Sequence, residues 1–236
     1  MSIDRAELTG RFAALTTAHV ADACLRAAVP VRCAPAGVRP VAGGRLAGRV
    51  LPARHVGSVD IFLEAIDRAA PGDVLVVDND GRTDEACVGD LVVLEARAAG
   101  LAGLVVLGLH RDTVDIRSVG LPVFSLGATP TGPQRLDPRP AGALASARVG
   151  RWTVDHGDVA LADEDGVLFV PASRVGELFD LAESIRDTER RQADRIRAGE
   201  PLRAQVGFGA YLAGRAENPA LTFREHLRAV GGAIEE

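Results

Sequence analysis

The chain has 236 residues, 47% of them hydrophobic, and a net charge of −5. That suits one large domain, or one domain with a substantial appendage, and gives no reason to expect nucleic acid or an anionic membrane as partner. Every basic side chain besides histidine is arginine, which excludes a Schiff-base lysine, pyridoxal phosphate chemistry and a GxxxxGK[ST] phosphate loop.

In chain order, residues 4–28 are expected to be helical, with Phe12, Leu15, Val20 and Leu25 among alanines and with Pro30 and Pro35 ending the segment. "GRLAGRVLPA", 44–53, is expected to be a strand. "VDIFLEAIDRA", 59–69, reads as a helix with Ile61, Phe62, Ala65 and Ile66 on one face. A tight "PGD" turn at 71–73 feeds a strand at 74–79, and a polar loop follows. "GDLVVLEARAAG", 89–100, reads as a helix with Asp90 near its start and Gly100 as its stop signal. Strands are expected at 104–108 and 121–127, and a Pro- and Gly-rich loop at 127–145. A hairpin-like pair spans 158–171 around Asp163 to Gly166. Ser173 is expected to cap a long helix reaching about Ala198, with Gly199 as its stop. Its first half is amphipathic. Its second half, "RDTERRQADRIR", is charged nearly all round and suits either a solvated helix end or an arm reaching a neighbouring subunit. The tail "PALTFREHLRAVGG" reads as one more short helix.

No apolar run approaches the roughly 18 residues that span a bilayer, and "MSIDRAELTG" lacks the apolar core of a signal peptide. A cytoplasmic protein is expected, with no membrane partner. Cys24, Cys33 and Cys87 have no CxxC spacing and are expected to be reduced, mostly buried thiols.

The chemistry concentrates in "GLVVLGLHRDTVD", 103–115. A buried strand breaks off at Gly108 and is followed within four residues by His110, Arg111 and Asp112. Strand 74–79, helix 90–100 and strand 104–108 form a β-α-β unit whose two strands should be parallel. In open α/β sheets ligands gather beyond the carboxyl ends of the strands. Gly89-Asp90, at the helix N-terminus, offers unpaired N–H groups to an anion. Arg111 offers a planar fork that matches a carboxylate. Asp90 and Asp112 add hard oxygen ligands that suit Mg²⁺ or Mn²⁺. The plainer alternative is a surface salt bridge at a turn, with His110 packed or capping. His19, His55, His156 and His226 lack metal-ligand spacing and are expected to be structural or exposed. Asp163, Glu164 and Asp165 read as a solvated turn. Ser125 has no GxSxG context.

On the string "GDLVVLEARAAGLAGLVVLGLHRD", followed by "LPVF" and "GDVALADEDGVLFVP", the chain resembles the RraA-like proteins. These include the regulator of ribonuclease E activity A and the class II 4-hydroxy-4-methyl-2-oxoglutarate aldolases. The resemblance runs from about residue 16 to 171 and more loosely to 200. It implies an α/β fold of the β/β/α swivelling-domain type over residues 1–172. A C-terminal helical arm and tail, 173–236, would pack on a neighbouring subunit of a homotrimer or homohexamer with interface active sites. It also implies that Asp112 binds Mg²⁺ (or Mn²⁺) and that Arg111 grips a 2-oxo acid substrate. Gly89, Asp90, Leu91 and Val92 would hold the pyruvate carboxylate by backbone amides, and Asp90 a metal-bound water. Glu189 of the adjacent subunit, rather than Asp187, would complete the site.

The chain departs from the family pattern at Leu107, where an Asp is usual, and at His156-Gly157-Asp158, where "PGD" is usual. The expected function is a metal-dependent aldolase cleaving a 4-hydroxy-2-oxo acid, with oxaloacetate decarboxylation as a side activity. The alternatives are a non-catalytic ribonuclease regulator and a different enolate-forming reaction.

Overall fold

The computed structural model describes residues 3–230. Two helices open the chain, α1 (Arg5–Phe12) and α2 (Thr17–Arg26), followed by short strands β1 (Arg32–Cys33) and β2 (Arg39–Ala42) and the long β3 (Leu46–Arg54). The central run is α3 (Asp60–Asp67), β4 (Val74–Asp78), β5 (Ala86–Val88), α4 (Asp90–Ala98), β6 (Gly103–Leu107), β7 (Leu109–His110), α5 (Thr113–Val119) and β8 (Val123–Ser125). Two hairpins follow, β9 (Ser146–Val149) with β10 (Trp152–Asp155) and β11 (Asp158–Asp163) with β12 (Gly166–Pro171). The chain continues as α6 (Val175–Arg197), α7 (Leu202–Gln205), α8 (Phe208–Glu217) and α9 (Phe223–Val230).

One eight-stranded sheet has the order β1-β12-β11-β3-β4-β6-β8-β2. Its middle, β3-β4-β6-β8, is parallel, and its flanks are antiparallel. The expected β-α-β unit is present, with Val74 opposite Gly103 and Asp78 opposite Leu107. β4 and β6 are buried at every position, which is why both read as continuous apolar runs rather than alternating ones. Alternation survives in which core each side chain enters. Leu75, Val77, Leu104 and Val106 pack under α3, α4 and α5. Val74, Val76, Val105 and Leu107 face the opposite way, into a cluster that six sheet strands and the β9-β10 hairpin close together. Hairpin, sheet and helices thus form the expected β/β/α layering. A third cluster joins α1, α2 and the first half of α6 to β11 and β12.

Several expectations need correction. Residues 4–28 form two helices, because Thr16 caps α2 through a reciprocal pair with His19. Arg45 holds the carbonyls of Phe12 and Leu15 in the gap. The α6 N-cap position is Arg174 rather than Ser173, and no side chain caps that end. The cysteines are free and mostly buried, as expected, with Cys33 the exposed one. The first half of α6 is tied to its own core through Arg11, which bonds Asp180 and Glu183 at 2.6 and 2.8 Å. Its second half is mostly exposed. Beyond it, Val206, Tyr211 and Leu227 are buried yet belong to none of the three clusters. The rings of Phe208, Tyr211, Phe223 and His226 pack against one another there, edge-on or tilted except for the stacked pair Phe223–His226. The last two residues of the expected tail helix, 231 and 232, lie outside the described residues.

Candidate active site

A cleft of about 570 Å³ lies beyond the carboxyl ends of the parallel strands, where open α/β sheets gather their ligands. Gly89, Asp90, Leu91, Val92, Arg111 and Asp112 all line it. Two elements that the sequence hid produce this convergence. β5 pairs in parallel with β7, and Arg111 N–H donates to the Val88 carbonyl at 3.0 Å. This pairing sets the RD dipeptide directly beside the start of α4.

Asp112 adopts a left-handed conformation, φ 59° and ψ 40°, which costs a non-glycine residue about 1–3 kcal/mol and persists only where the surroundings enforce it. The resulting turn aims its carboxylate at Gly89. A Cβ at residue 89 would lie 2.7 Å from Asp112 Oδ2 and 3.4 Å from Arg111 Nε. What glycine supplies there is room for this close approach rather than conformational freedom, since the Gly89 backbone, φ −127°, is open to any residue. Gly132 backs the same guanidinium from the other side, where a Cβ would lie 2.9 Å from Arg111 Nη1. Arg111 Nε stands 3.5 Å from Asp112 Oδ2, and both side chains are substantially exposed. No side chain caps α4, so the first N–H groups of that helix are available to an anion in the cleft.

Gly132 belongs to the Pro- and Gly-rich segment 127–145, which runs across the cleft as a strap. Its backbone bonds Ala86 through Thr131 and Val56 through Asp137, and Pro133 and Leu136 line the cleft.

Among the histidines, His110 is packed. Its ring bonds Ser125 Oγ at 2.7 Å and Thr113 Oγ1 at 2.9 Å, and burial pushes its pKa below the ordinary histidine value. His55, expected to be structural or exposed, lines the cleft while only 3% exposed. It follows β3 in sequence and carried no spacing signal that could have flagged it. Cys87 also lines the cleft, but burial pushes its thiol up to about 12, so it is not a nucleophile at neutral pH. Leu107 is buried in the core between sheet and hairpin, so the departure from Asp falls outside the cleft lining.

Glu189 does not join these groups within the chain. It lies on the exposed half of α6, with Oε2 3.1 Å from His19 Nε2, and Asp187 pairs with Arg186. Among the described residues, no group of three or more His, Cys, Asp or Glu side chains could hold a metal ion.

The family model described as RraA-like, Aldolase/RraA, matches residues 17–169. Protein DlpA of Legionella pneumophila is 34% identical over 138 residues, 58% of this chain and 22% of its own length. A putative 4-hydroxy-4-methyl-2-oxoglutarate aldolase of Halalkalibacterium halodurans is 31% identical over 147 residues, 61% of this chain. The chain thus spans about a fifth of DlpA and 66% of that aldolase. Streptomyces coelicolor RraAS2, described as an unusual member of the RNase ES inhibitor RraA protein family, superposes with a TM-score of 0.71 at 26% identity, covering 82% of this chain and 98% of that one. The matched segment holds the cleft, the RD pair and the whole central β-α-β unit, and the chain belongs to the RraA-like family.

Proposed function

We propose that the cleft is the active site of a divalent-metal-dependent carbon–carbon lyase, of the aldolase type, acting on a small 4-hydroxy-2-oxo acid. The observation that carries this reading is the convergence of Arg111 and Asp112 over Gly89 at the open start of α4. A carboxylate would sit on the α4 amides, and Arg111 would hold it and the adjacent keto oxygen. Charge developing on that oxygen during bond cleavage would be met by a donor already in place.

The donor set fits a hard ion that keeps most of its water. Among the described residues, Asp112 has no side-chain partner apart from its loose pairing with Arg111, and Asp90 lines the same cleft. Mg²⁺ or Mn²⁺ needs one or two such carboxylates. When bound, the ion would supply Lewis acidity to the keto oxygen. Glu189 would reach the cleft from a neighbouring subunit of a homotrimer or homohexamer, with the exposed second half of α6 and the helices beyond it as the arm. The exposed apolar side chains of Val59 and Leu91 in the cleft lining, and of Leu63, Leu94 and Val114 on α3, α4 and α5, support such an assembly.

A second reading is a non-catalytic ribonuclease regulator. The likeness to RraAS2 and the lack of a three-ligand cluster among the described residues favour it. The test is pyruvate release from 4-hydroxy-4-methyl-2-oxoglutarate and from oxaloacetate, with Mg²⁺, Mn²⁺ or EDTA. Metal-dependent release supports the lyase. No release from either, with retention of a ribonuclease E in a pull-down, would establish the regulator instead.

A further inference from the structure

His55 is held at the cleft wall by partners of its own. Its ring stacks on Phe62, centroids 5.1 Å apart and planes 11° apart, and its backbone N–H donates to the Asp78 carbonyl. Nδ1 lies 2.8 Å from Asn79 Oδ1. The same oxygen accepts from Arg135 Nη2 at 3.0 Å. A guanidinium can only donate, so this atom of Asn79 is the carbonyl oxygen, and His55 Nδ1 must carry the hydrogen. That assigns the tautomer and leaves Nε2 as a bare acceptor. Nε2 has no hydrogen-bond partner among the described residues, although the ring is 97% buried at the cleft wall.

The supports extend outward. Arg135 is fixed by the buried Glu85 at 3.1 Å and by Asp137 at 2.6 Å. Asn79 is pressed by Gly108, where a Cβ would lie 2.9 Å from the Asn79 Cβ. The charged groups facing the ring are Glu85 and Asp60, which favour its protonation, and Arg135, which opposes it. Burial outweighs them and keeps the imidazole neutral at pH 7.

We propose that His55 Nε2 is the proton acceptor for the 4-hydroxyl of the substrate, an inference that rests on the lyase reading above. Nε2 takes the hydroxyl proton, and the O–H electron pair becomes the new carbonyl bond at C4. The C3–C4 bond breaks, and its pair becomes the pyruvate enolate beside Arg111. The imidazolium then returns the proton to C3, giving pyruvate and neutral His55.

Decarboxylation of oxaloacetate tests this directly. It forms the same enolate but needs no hydroxyl proton removed, because CO₂ leaves from a carboxylate. In His55→Gln, cleavage of 4-hydroxy-4-methyl-2-oxoglutarate should fall by about 100-fold or more, the usual worth of a positioned base. Oxaloacetate decarboxylation should fall far less, so that the ratio of the two rates shifts against aldol cleavage, and an unchanged far-UV circular dichroism spectrum shows that the variant is folded. Equal loss of both reactions, or loss of neither, overturns the role of His55 alone. A wild-type chain inert toward both substrates overturns the lyase reading and this inference with it. Independently of turnover, ¹⁵N spectra of the metal-free wild type should show the Nδ1–H tautomer for His55, and an Nε2–H tautomer would refute the assignment.

Discussion

Gly89, Asp112 and His55 each hold an unusual position for a local reason. At Gly89 the reason is space. Gly89→Ala should leave stability within about 1 kcal/mol, since its backbone region is open to alanine, while pushing apart the carboxylate and guanidinium that meet over it. Activity is expected to drop at least tenfold with an unchanged urea midpoint, and full activity would show that the convergence is incidental. At Asp112 the reason is conformation. Asp112→Gly removes the side chain but suits the left-handed backbone, so metal-dependent turnover should vanish while the melting temperature holds. Retained turnover would remove Asp112 from the site. At His55 the reason is burial. Its pKa lies below the ordinary value in the folded chain, so between that lowered value and about 6.5 the unfolded chain binds a proton that the native chain does not. The stability contributed by neutral His55 is therefore complete above about pH 6.5 and declines as the pH falls below it. Thermal melts at pH 7.5 and 5.5 should show a smaller drop for His55→Gln than for the wild type.

The elements that carry long runs of apolar residues were legible because burial on both faces leaves a continuous signal. β4, α4 and β6 fall where "VLVVD", "DLVVLEARA" and "GLVVL" place them. The break between α1 and α2 was also written in the chain, as Thr16 with His19 three residues on, but the alanine-rich run on either side masked it. Thr16→Ala removes the side-chain acceptor of the His19 N–H and should cost about 1 kcal/mol, read from the shift in denaturant midpoint. β5, β7 and α5 were not legible. Two or three residues carry no periodicity, and β5 and β7 are strands only because each finds the other across 22 residues of chain. These missed elements are the ones that bring Arg111 and Asp112 to Gly89.

For the whole molecule, the exposed apolar side chains beside the cleft and the exposed half of α6 bear on assembly. If copies of the chain associate through α3 and α4, Leu63→Glu combined with Leu94→Glu should convert the oligomer to monomer in light scattering and abolish turnover. A monomeric wild type would remove the shared-site reading. If Glu189 serves a neighbour, Asp112→Ala and Glu189→Gln, each inactive alone, should regain part of the activity when mixed and refolded together. Full activity of Glu189→Gln alone would place Glu189 outside the site, leaving it as the partner of His19 that it is within one chain, and an inactive mixture of two inactive variants would mean that it does not serve a neighbour.

Composition, the apolar runs and the "GDL…RD" string by themselves determined the α/β class, the central β-α-β unit and the residues to watch at its end. These features are local or periodic, so a linear reading reaches them. Tertiary structure alone decided that six of those residues share one cleft, that His110 is packed, and that His55 is the histidine left with an open nitrogen there. The reason is physical: a side chain's partners are set by what the folded chain brings against it. The Asn79 and Arg135 that orient His55 lie 24 and 80 positions away from it in sequence.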